Sequence, residues 1–222
     1  MQPGQRGQTF DAATQRGRLK DVYWIGGGSG AGKSTIARHV GCQHSLHLYA
    51  TDDVMSDHAG RLSPEDAPYL SSFKIMDMDE RWLNRPTEIM LETFRWFRGE
   101  GFSLIVEDLV RLAADRGVIA EGFRLVPHLV KPLLADPGHA LWLLPTREFR
   151  VAAVNSRRTG EWEFLRKTTD PERARRNLLE RDRMFTDELR KETQRLELPT
   201  VQVDVAMTED ELTHRVTQAF GL

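Results

Sequence analysis

A glycine-rich segment near the N-terminus has the residue types and spacing best suited to chemistry. Residues 27–34 read Gly-Gly-Ser-Gly-Ala-Gly-Lys-Ser and match G-x-x-x-x-G-K-[ST] at every fixed position. Because side chains are small or absent here, triphosphate oxygens can lie against successive backbone N–H groups. The motif therefore predicts a phosphate-binding loop, which we call the P-loop, formed by Gly28, Ser29, Gly30, Ala31, Gly32, Lys33, Ser34 and Thr35.

The residues on either side of this loop fit the same interpretation. The apolar run Val22–Ile25 precedes it as a predicted strand, and Ser34–Val40 follows as the start of a helix. The N–H groups and dipole at a helix N-terminus favour a bound anion. Lys33 would add positive charge near the β- and γ-phosphates, and the Ser34 hydroxyl would ligate Mg²⁺. We therefore expect ATP and Mg²⁺ to bind here. The alternative is a glycine-rich turn that binds no ligand.

Four further apolar runs follow the first, and helical stretches separate them along the chain. They occupy residues 46–50, 118–120, 140–144 and 200–203. Each run ends in polar residues or glycine, as is typical of strands that are buried on both faces. This alternation predicts an α/β fold with a five-stranded parallel sheet and helices on both of its faces.

Helical periodicity marks the longer segments between and after these runs. The predicted helices are residues 86–98, 103–114, 171–196 and 208–220. In the second of them, Leu104-Ile105-Val106 also allows a strand, but apolar residues three or four positions apart favour a helix. Asp170 is the expected N-cap of the third helix, and Thr208 with Glu211 forms a predicted capping box on the fourth.

The segment Ile25–Thr35 resembles the P-loop kinases of small metabolites, among them uridine kinase, phosphoribulokinase, 2-phosphoglycerate kinase and chloramphenicol phosphotransferase. By the order of its elements, the wider resemblance is to the nucleoside-monophosphate-kinase-like fold and covers residues 20–220. The resemblance implies the strand order 2-3-1-4-5. It also implies a catalytic or Mg²⁺-linked Asp after the second strand, and an arginine-bearing lid that closes over the phosphates.

Two aspartates follow the second predicted strand, where the relatives carry that Asp. Of Asp52 and Asp53, Asp52 matches the family's base better, and both are candidates for substrate binding. A carboxylate there could accept the proton of an attacking hydroxyl or hold a water on Mg²⁺. The alternative is that the two residues only end a strand and cap the next helix.

Glu121 ends the third predicted strand, another place where P-loop relatives often have an acidic residue. It could contact Mg²⁺ through a water or bind a substrate hydroxyl, although an acidic residue at a strand end is also ordinary. Because Arg124 follows three residues later, we expect it on the same rim, in contact with an anionic part of the substrate.

The relatives place the lid after the fourth strand and use its arginines on the transferring phosphate. The lid is therefore expected at about residues 147–176, with Arg157 and Arg158 as catalytic cations and Arg150 as the next candidate. Arg181-Asp182 resembles the Arg-Asp pair that follows the lid in uridine kinases. An intrahelical ion pair explains these two residues equally well.

A long insert, about residues 54–117, separates the second and third strands and is the acceptor-binding module in this fold. Arg61 and Arg81 are its candidate substrate-binding residues, in a region that mixes cations with aromatic side chains. Each of them could instead be an ordinary surface cation. We predict a flexible segment at residues 1–20 and a single kinase domain at residues 21–222.

Composition narrows the function classes. The net charge of -2 argues against a nucleic-acid partner, although residues 147–183 carry eleven Arg or Lys against seven Asp or Glu. The sequence shows no apolar run of the length that spans a bilayer, so no membrane is expected. The single Cys42 excludes an internal disulfide and favours the cytoplasm. The expected partner is a small-molecule substrate, and whether the chain forms a homodimer is left open.

Three functions fit these observations. The leading hypothesis is a kinase that transfers the γ-phosphate of ATP to a hydroxyl of a metabolite, nucleoside or antibiotic. The second is a nucleoside monophosphate kinase, whose acceptor is a phosphate and needs no base. The third, from another class, is a nucleotide-dependent switch or ATPase module. The Asp52 carboxylate favours the first, because a hydroxyl must lose a proton.

Overall fold

The five apolar segments form one sheet in the computed structural model, which describes residues 12–113, 115–156 and 163–222. The strands are β1 (Val22–Gly27), β2 (His47–Ala50), β3 (Val118–Glu121), β4 (Ala140–Pro145) and β5 (Thr200–Val203). Their order across the sheet is β2-β3-β1-β4-β5, and each neighbouring pair is parallel. The predicted α/β fold class with strand order 2-3-1-4-5 is confirmed.

Helices connect the strands. Within the described residues the α-helices are α1 (Ala12–Arg18), α2 (Lys33–Gln43), α3 (Met55–Arg61), α4 (Pro68–Ile75), α5 (Thr87–Glu92), α6 (Phe102–Leu112), α7 (Pro127–Val130), α8 (Arg147–Ser156), α9 (Pro171–Arg195) and α10 (Glu209–Phe220). A π-helical turn, Glu80–Asn84, and a 3₁₀ turn, Glu163–Lys167, lie beside α9. None of the described helices is both long enough and apolar enough to cross a membrane.

Two apolar cores cover the two faces of the sheet. Because side chains alternate along a strand, Trp24 of β1 packs into one core while its neighbour Ile25 packs into the other. The first core includes residues of α6 and α9, and the second includes residues of α2 and α10. With helices on both faces, the functional side chains are left to the rim at the carboxyl ends of the strands.

The caps predicted for the last two long helices are present. The Asp170 side chain accepts a hydrogen bond from the backbone N–H of Arg173 at the start of α9. Thr208 does the same for Glu211 at the start of α10. The Glu211 carboxylate pairs with Arg215 instead of reaching back, so half of the predicted capping box is formed. Residues 102–112 form a helix, as the spacing of their apolar residues favoured.

Two predicted elements differ from the structure. Part of the segment predicted to be flexible, residues 12–18, is helix α1, and Leu19 after it is buried in the first core. The helix predicted at residues 86–98 ends at Glu92 and gives way to turns. Phe94 and Trp96 are both buried, whereas a helix would point residues two positions apart to nearly opposite sides. Tertiary packing therefore overrides the helical pattern here.

Candidate active site

A cavity of about 670 Å³ opens beside the phosphate-binding loop, at the carboxyl ends of β1, β2 and β3. Its wall combines the P-loop with three kinds of side chain: carboxylates, guanidiniums and aromatic rings. Besides P-loop residues 29–35, these groups are Asp52, Glu121, Asp182, Arg95, Arg181, Trp82, Phe94, Trp96, Phe123 and Phe164. A crevice at this edge of a parallel sheet is the usual place for a ligand in such folds.

The P-loop joins β1 to α2 in the conformation that its glycines allow. Gly32 has φ 81°, a left-handed conformation that favours glycine, and α2 begins at the next residue. Lys33 is buried, and its Nζ donates a hydrogen bond to the carbonyl oxygen of Gly28, 2.8 Å away. The ammonium group therefore lies over the loop, and the N-terminus of α2 faces the cavity. Both features suit a polyphosphate.

Glu121, the last residue of β3, is buried next to the start of α2. Its carboxylate is hydrogen-bonded with the Ser34 hydroxyl. Burial raises the pKa of Glu121 above its usual range, and the charge of Lys33 and the Ser34 hydrogen bond offset only part of that effect. Next along the chain, Gly122 has φ 147°, and a side chain there would collide with Thr51. This close contact joins the end of β3 to the residue before Asp52.

Asp52 reaches the cavity from the end of β2. Asp52 is exposed to the cavity, but partial desolvation by the surrounding residues raises the pKa of its carboxyl group, and the nearby charges of Lys33 and Arg124 lower it only in part. Thr51 is close enough to hydrogen-bond with the same carboxylate, at 3.5 Å. The structure thus brings Asp52, Glu121, Lys33 and Ser34 together at one end of the cavity. That end has the groups a phosphotransfer site needs: a carboxylate, a cation and a hydroxyl beside a helix N-terminus.

Arg124 lies behind this end of the cavity and does not line it. Its guanidinium donates to the carbonyl oxygens of Thr51 and Gly101, both at 3.3 Å. It also donates to Nδ1 of His58 at 3.1 Å and packs over the Trp96 ring. Burial lowers the pKa of Arg124 to about 10. In the structure, Arg124 therefore supports the site from the core, and only its charge reaches Asp52.

Other residues predicted to bind substrate also lie outside the cavity wall. Arg61 is exposed on α3 and pairs with Glu107 at 2.6 Å. Arg81 donates to the carbonyl oxygens of Phe73 and Lys74, which holds the π-helical turn to the end of α4. Asp53 is exposed, and its backbone N–H donates to the carbonyl oxygen of Ala50.

The lid residues fall in two groups. Arg157 and Arg158 lie outside the described residues, so their catalytic role stays a prediction. Arg150 of α8 is described, and its Nη2 lies 2.7 Å from Oδ2 of Asp182 on α9. Arg181 donates from Nε and Nη2 to the other oxygen of Asp182, so this carboxylate is shared by two guanidiniums. The Arg181-Asp182 pair is an ion pair within the helix and also forms part of the cavity wall.

Several cavity residues were not identified from the sequence. The most important are Phe94, Arg95 and Trp96, which lie in the turns after α5 and were expected on a helix. Phe123 and Phe164 complete the aromatic part of the wall. A signal was present in the run Phe94-Arg95-Trp96, because alternating aromatic and cationic residues before two glycines suit a binding turn better than an amphipathic helix.

The residues present fit ATP and Mg²⁺. The left-handed glycine, the Nζ of Lys33 and the start of α2 form a cradle for phosphates. The paired oxygens of Ser34 and Glu121 are hard ligands of the kind that Mg²⁺ takes, directly or through water.

Comparison with known proteins adds little to this description. No protein-family model matches the chain, and no curated protein matches it. Among solved structures, an uncharacterized protein from Eubacterium ventriosum is 12% identical, with 90% of this chain and 97% of that one aligned at a TM-score of 0.47. A gluconokinase from Sinorhizobium meliloti is 18% identical, with 91% and 92% aligned at 0.43. A NadR protein in complex with NR is 13% identical, with 96% of this chain and 55% of that one aligned at 0.40. Likenesses this distant decide neither the family nor the function.

Proposed function

We propose that this protein is an ATP-dependent kinase that transfers the γ-phosphoryl group to a hydroxyl of a small molecule. One observation carries the proposal: the Asp52 carboxylate shares a cavity with Lys33 and Ser34 of the P-loop. A phosphate-binding loop alone would serve any nucleotide-binding protein. A carboxylate facing the same space provides what a hydroxyl acceptor additionally requires, a group that takes its proton.

The transfer follows from this arrangement. The acceptor oxygen forms a bond to the γ-phosphorus as the bond from that phosphorus to the ADP oxygen breaks. The hydroxyl proton moves to Asp52 and from there to solvent. Because partial desolvation raises the pKa of Asp52, this carboxylate is a better base than an ordinary aspartate at neutral pH. Lys33 and the N-terminus of α2 offset negative charge on the phosphates.

Mg²⁺ would be held by Ser34, by Glu121 through water and by phosphate oxygens. When bound, it neutralises charge on the β- and γ-phosphates. The raised pKa of Glu121 fits a carboxylate that would bind a cation, because a nearby positive charge would favour its ionised form.

The second candidate is a nucleoside monophosphate kinase. The observation in its favour is the pair Arg95 and Arg181 in the cavity wall, since guanidiniums suit a phosphate acceptor. A phosphate at neutral pH is already ionised, so this reaction would leave Asp52 without a proton to accept. The two functions therefore differ in their dependence on Asp52.

The test pairs two variants with two assays. Asp52→Asn keeps the size and polarity of the side chain but cannot take a proton, so turnover with hydroxyl acceptors should fall by about 10² to 10⁴ while ATP affinity changes little. Lys33→Ala is the comparison variant, because it should weaken binding of the triphosphate itself. Turnover would be screened against nucleosides, sugars and other alcohols, and separately against nucleoside monophosphates.

Two results would decide against the hydroxyl kinase. A preference for monophosphates, together with full activity of Asp52→Asn, would establish the second candidate. Absence of ATP binding in the parent protein would rule out both proposed kinase functions. Circular dichroism of each variant shows whether the fold is intact, because Lys33 and Asp52 face the cavity and their replacement should leave the cores unchanged.

A further inference from the structure

The part of the cavity wall formed by the insert and the region around α9 has a different character from the part that carries Asp52 and Glu121. It is aromatic, with Trp82, Phe94 and Phe164 among its rings. The ring centroids of Trp82 and Phe164 lie 5.3 Å apart. Trp82 belongs to the insert and Phe164 to the segment before α9, so the two segments meet at this pair of rings. Rings at this spacing form an apolar wall against which a planar ligand stacks favourably.

Arg95 is the unusual residue of this region. Its guanidinium stacks on Phe73, 3.8 Å from the ring centroid. Its Nε and Nη1 are shielded from solvent, and neither has a hydrogen-bond partner in the described part of the chain. A buried charged group is ordinarily hydrogen-bonded, because leaving its donors unsatisfied is costly. Arg95 as a residue also lines the cavity, so its guanidinium is placed to meet an anion that enters there.

The charges around Arg95 also favour the binding of an anion. Burial lowers the pKa of Arg95 to about 10, and the next largest effects, also lowering it, come from the positive charges of Arg181 and Arg81. Glu100 offsets part of this. Cations packed against each other repel, and an anion between them would relieve the repulsion.

Arg181 faces the same space from α9. The Arg181 guanidinium lies over the Phe94 ring, 4.4 Å from its centroid. Because Arg95 is the next residue after Phe94, both arginines lie close to this ring. The planar fork of a guanidinium matches carboxylate and phosphate oxygens. Arg95 and Arg181 thus form a cationic pole, in which Asp182 already accepts from Nε and Nη2 of Arg181. Asp52 and Glu121 form the carboxylate pole of the same cavity.

We propose that the acceptor is a planar ring compound that carries an anionic group, a carboxylate or a phosphate, bound by Arg95 and Arg181. This inference rests on the proposed kinase function and specifies its substrate class. The ring lies against the aromatic wall, the anionic group meets the two arginines, and the hydroxyl to be phosphorylated is left beside Asp52. The two poles thereby set the direction in which the acceptor enters.

Matched probes test this proposal by calorimetry, with Mg²⁺ and a non-hydrolysable ATP analogue present. One pair is 4-(hydroxymethyl)benzoate and its neutral amide, and the other is uridine 5′-monophosphate and uridine. Glycerate serves as an anion without a ring. We expect the anionic member of at least one pair to bind about ten-fold more tightly than its neutral partner and than glycerate, the gain typical of a charged hydrogen bond.

Substitutions show whether Arg95 causes the preference for the anionic probes. Arg95→Gln should reduce it to less than about three-fold, while Arg98→Gln, the same change at an exposed arginine outside the cavity wall, should leave it intact. If Arg95→Gln does not fold, the parent protein's preference for the anionic probes over their neutral partners still tests the proposed substrate class. Preference for the benzoate alone identifies a carboxylate as the anion. Preference for the monophosphate alone identifies a phosphate if Asp52→Asn lowers turnover with it; if Asp52→Asn is fully active, the phosphate is the acceptor and the inference is overturned.

Equal affinities within both pairs, glycerate binding as tightly as the ring compounds, or no binding of either anionic probe at millimolar concentration would overturn the inference. So would an anion preference that survives in Arg95→Gln. Binding of the ATP analogue, measured in the same titrations, keeps the two proposals apart. If the analogue binds and the anion preference is absent, only the substrate class is wrong, whereas failure of the analogue to bind contradicts the kinase itself.

Discussion

Arg124 shows how a single residue can act on a reaction that it does not touch. It donates to the Thr51 carbonyl, one residue before Asp52, and its positive charge lowers the pKa of the Asp52 carboxyl. The sequence placed it on the rim next to Glu121, in contact with substrate. The structure instead turns it inward, because Gly101, His58 and the Trp96 ring surround its guanidinium on the core side.

The charge of Arg124 should be measurable at Asp52. In Arg124→Gln the attraction for the carboxylate is lost, so the pKa of Asp52 should rise further and the acid limb of turnover should move to higher pH. Arg124→Lys keeps the charge and should restore a value near that of the parent. Carbon-13 NMR titration of the Asp52 side chain measures the shift directly. Arg61→Gln, at an exposed arginine on α3, is the control.

If Arg124→Gln and Arg61→Gln left the Asp52 titration equally unchanged, the electrostatic role of Arg124 would be disproved. A shift of the same size in Arg124→Lys and Arg124→Gln would also count against it, since it would trace the effect to lost hydrogen bonds.

At the scale of elements, α8 and α9 are joined by one buried carboxylate. Asp182 lies between Arg150 of α8 and Arg181 of its own helix, with only 6% of its side chain exposed. Asp187, five residues further along α9, pairs with Arg183 and Arg190 but is 37% exposed. The two aspartates thus make similar ion pairs in very different surroundings, which makes them a matched comparison.

Burial decides how much each pair contributes to stability. Asp182→Asn leaves two guanidiniums around a neutral amide, and we expect the free energy of unfolding to fall by about 3 kcal/mol. Asp187→Asn should lower it by less than about 1 kcal/mol, since solvent screens exposed pairs. Urea denaturation of both variants measures the difference. Equal losses, or a larger loss for Asp187→Asn, would contradict this account of how α8 is held to α9.

At the scale of the whole molecule, a buried histidine ties four elements together. His58 of α3 is fully buried, with Nε2 placed 2.8 Å from Asp108 of α6 and Nδ1 placed 3.1 Å from Arg124 after β3. Tyr49 of β2 donates to the same Asp108. A guanidinium can only donate, so Nδ1 accepts from Arg124 and the single ring proton is on Nε2. The network therefore requires a neutral imidazole.

This requirement makes folding sensitive to acid. Burial is the largest cause of the lowered pKa of His58; the charges of Arg124 and Arg61 add to it, and Asp108 opposes it. The unfolded chain, with an ordinary histidine pKa of about 6.5, therefore takes up the proton more readily than the folded one. The contribution of His58 to stability is complete above that pH and is lost as the pH falls below it.

His58→Gln provides the test, because an amide can accept from Arg124 and donate to Asp108 without titrating. Denaturation by urea at pH 7.5, 6.5 and 5.5 should show a smaller loss of stability towards acid in the variant than in the parent. Parallel pH profiles for the two proteins would show that His58 does not contribute to the acid sensitivity.

The sequence alone determined the parts of this protein that depend on neighbouring residues. The P-loop is a contiguous motif whose chemistry resides in successive backbone N–H groups and one lysine, so its spelling is enough to identify it. The strands follow from apolar runs, and the caps of α9 and α10 follow from residues three positions apart. Asp52 and Glu121 were predictable as members of one site because parallel strands end at the same edge of the sheet.

Only the tertiary structure decided which cations and rings face the cavity. Arg95, Phe123 and Phe164 are separated by tens of residues, and no local pattern shows that they share a wall. Whether an arginine faces solvent, core or cavity depends on what packs around it, so Arg61, Arg81 and Arg124 looked equivalent in the sequence to Arg95. The burial of Phe94 and Trp96 ended α5 early and turned Arg95 towards the cavity, because packing of large aromatic side chains outweighs the weak helical preference of a short segment.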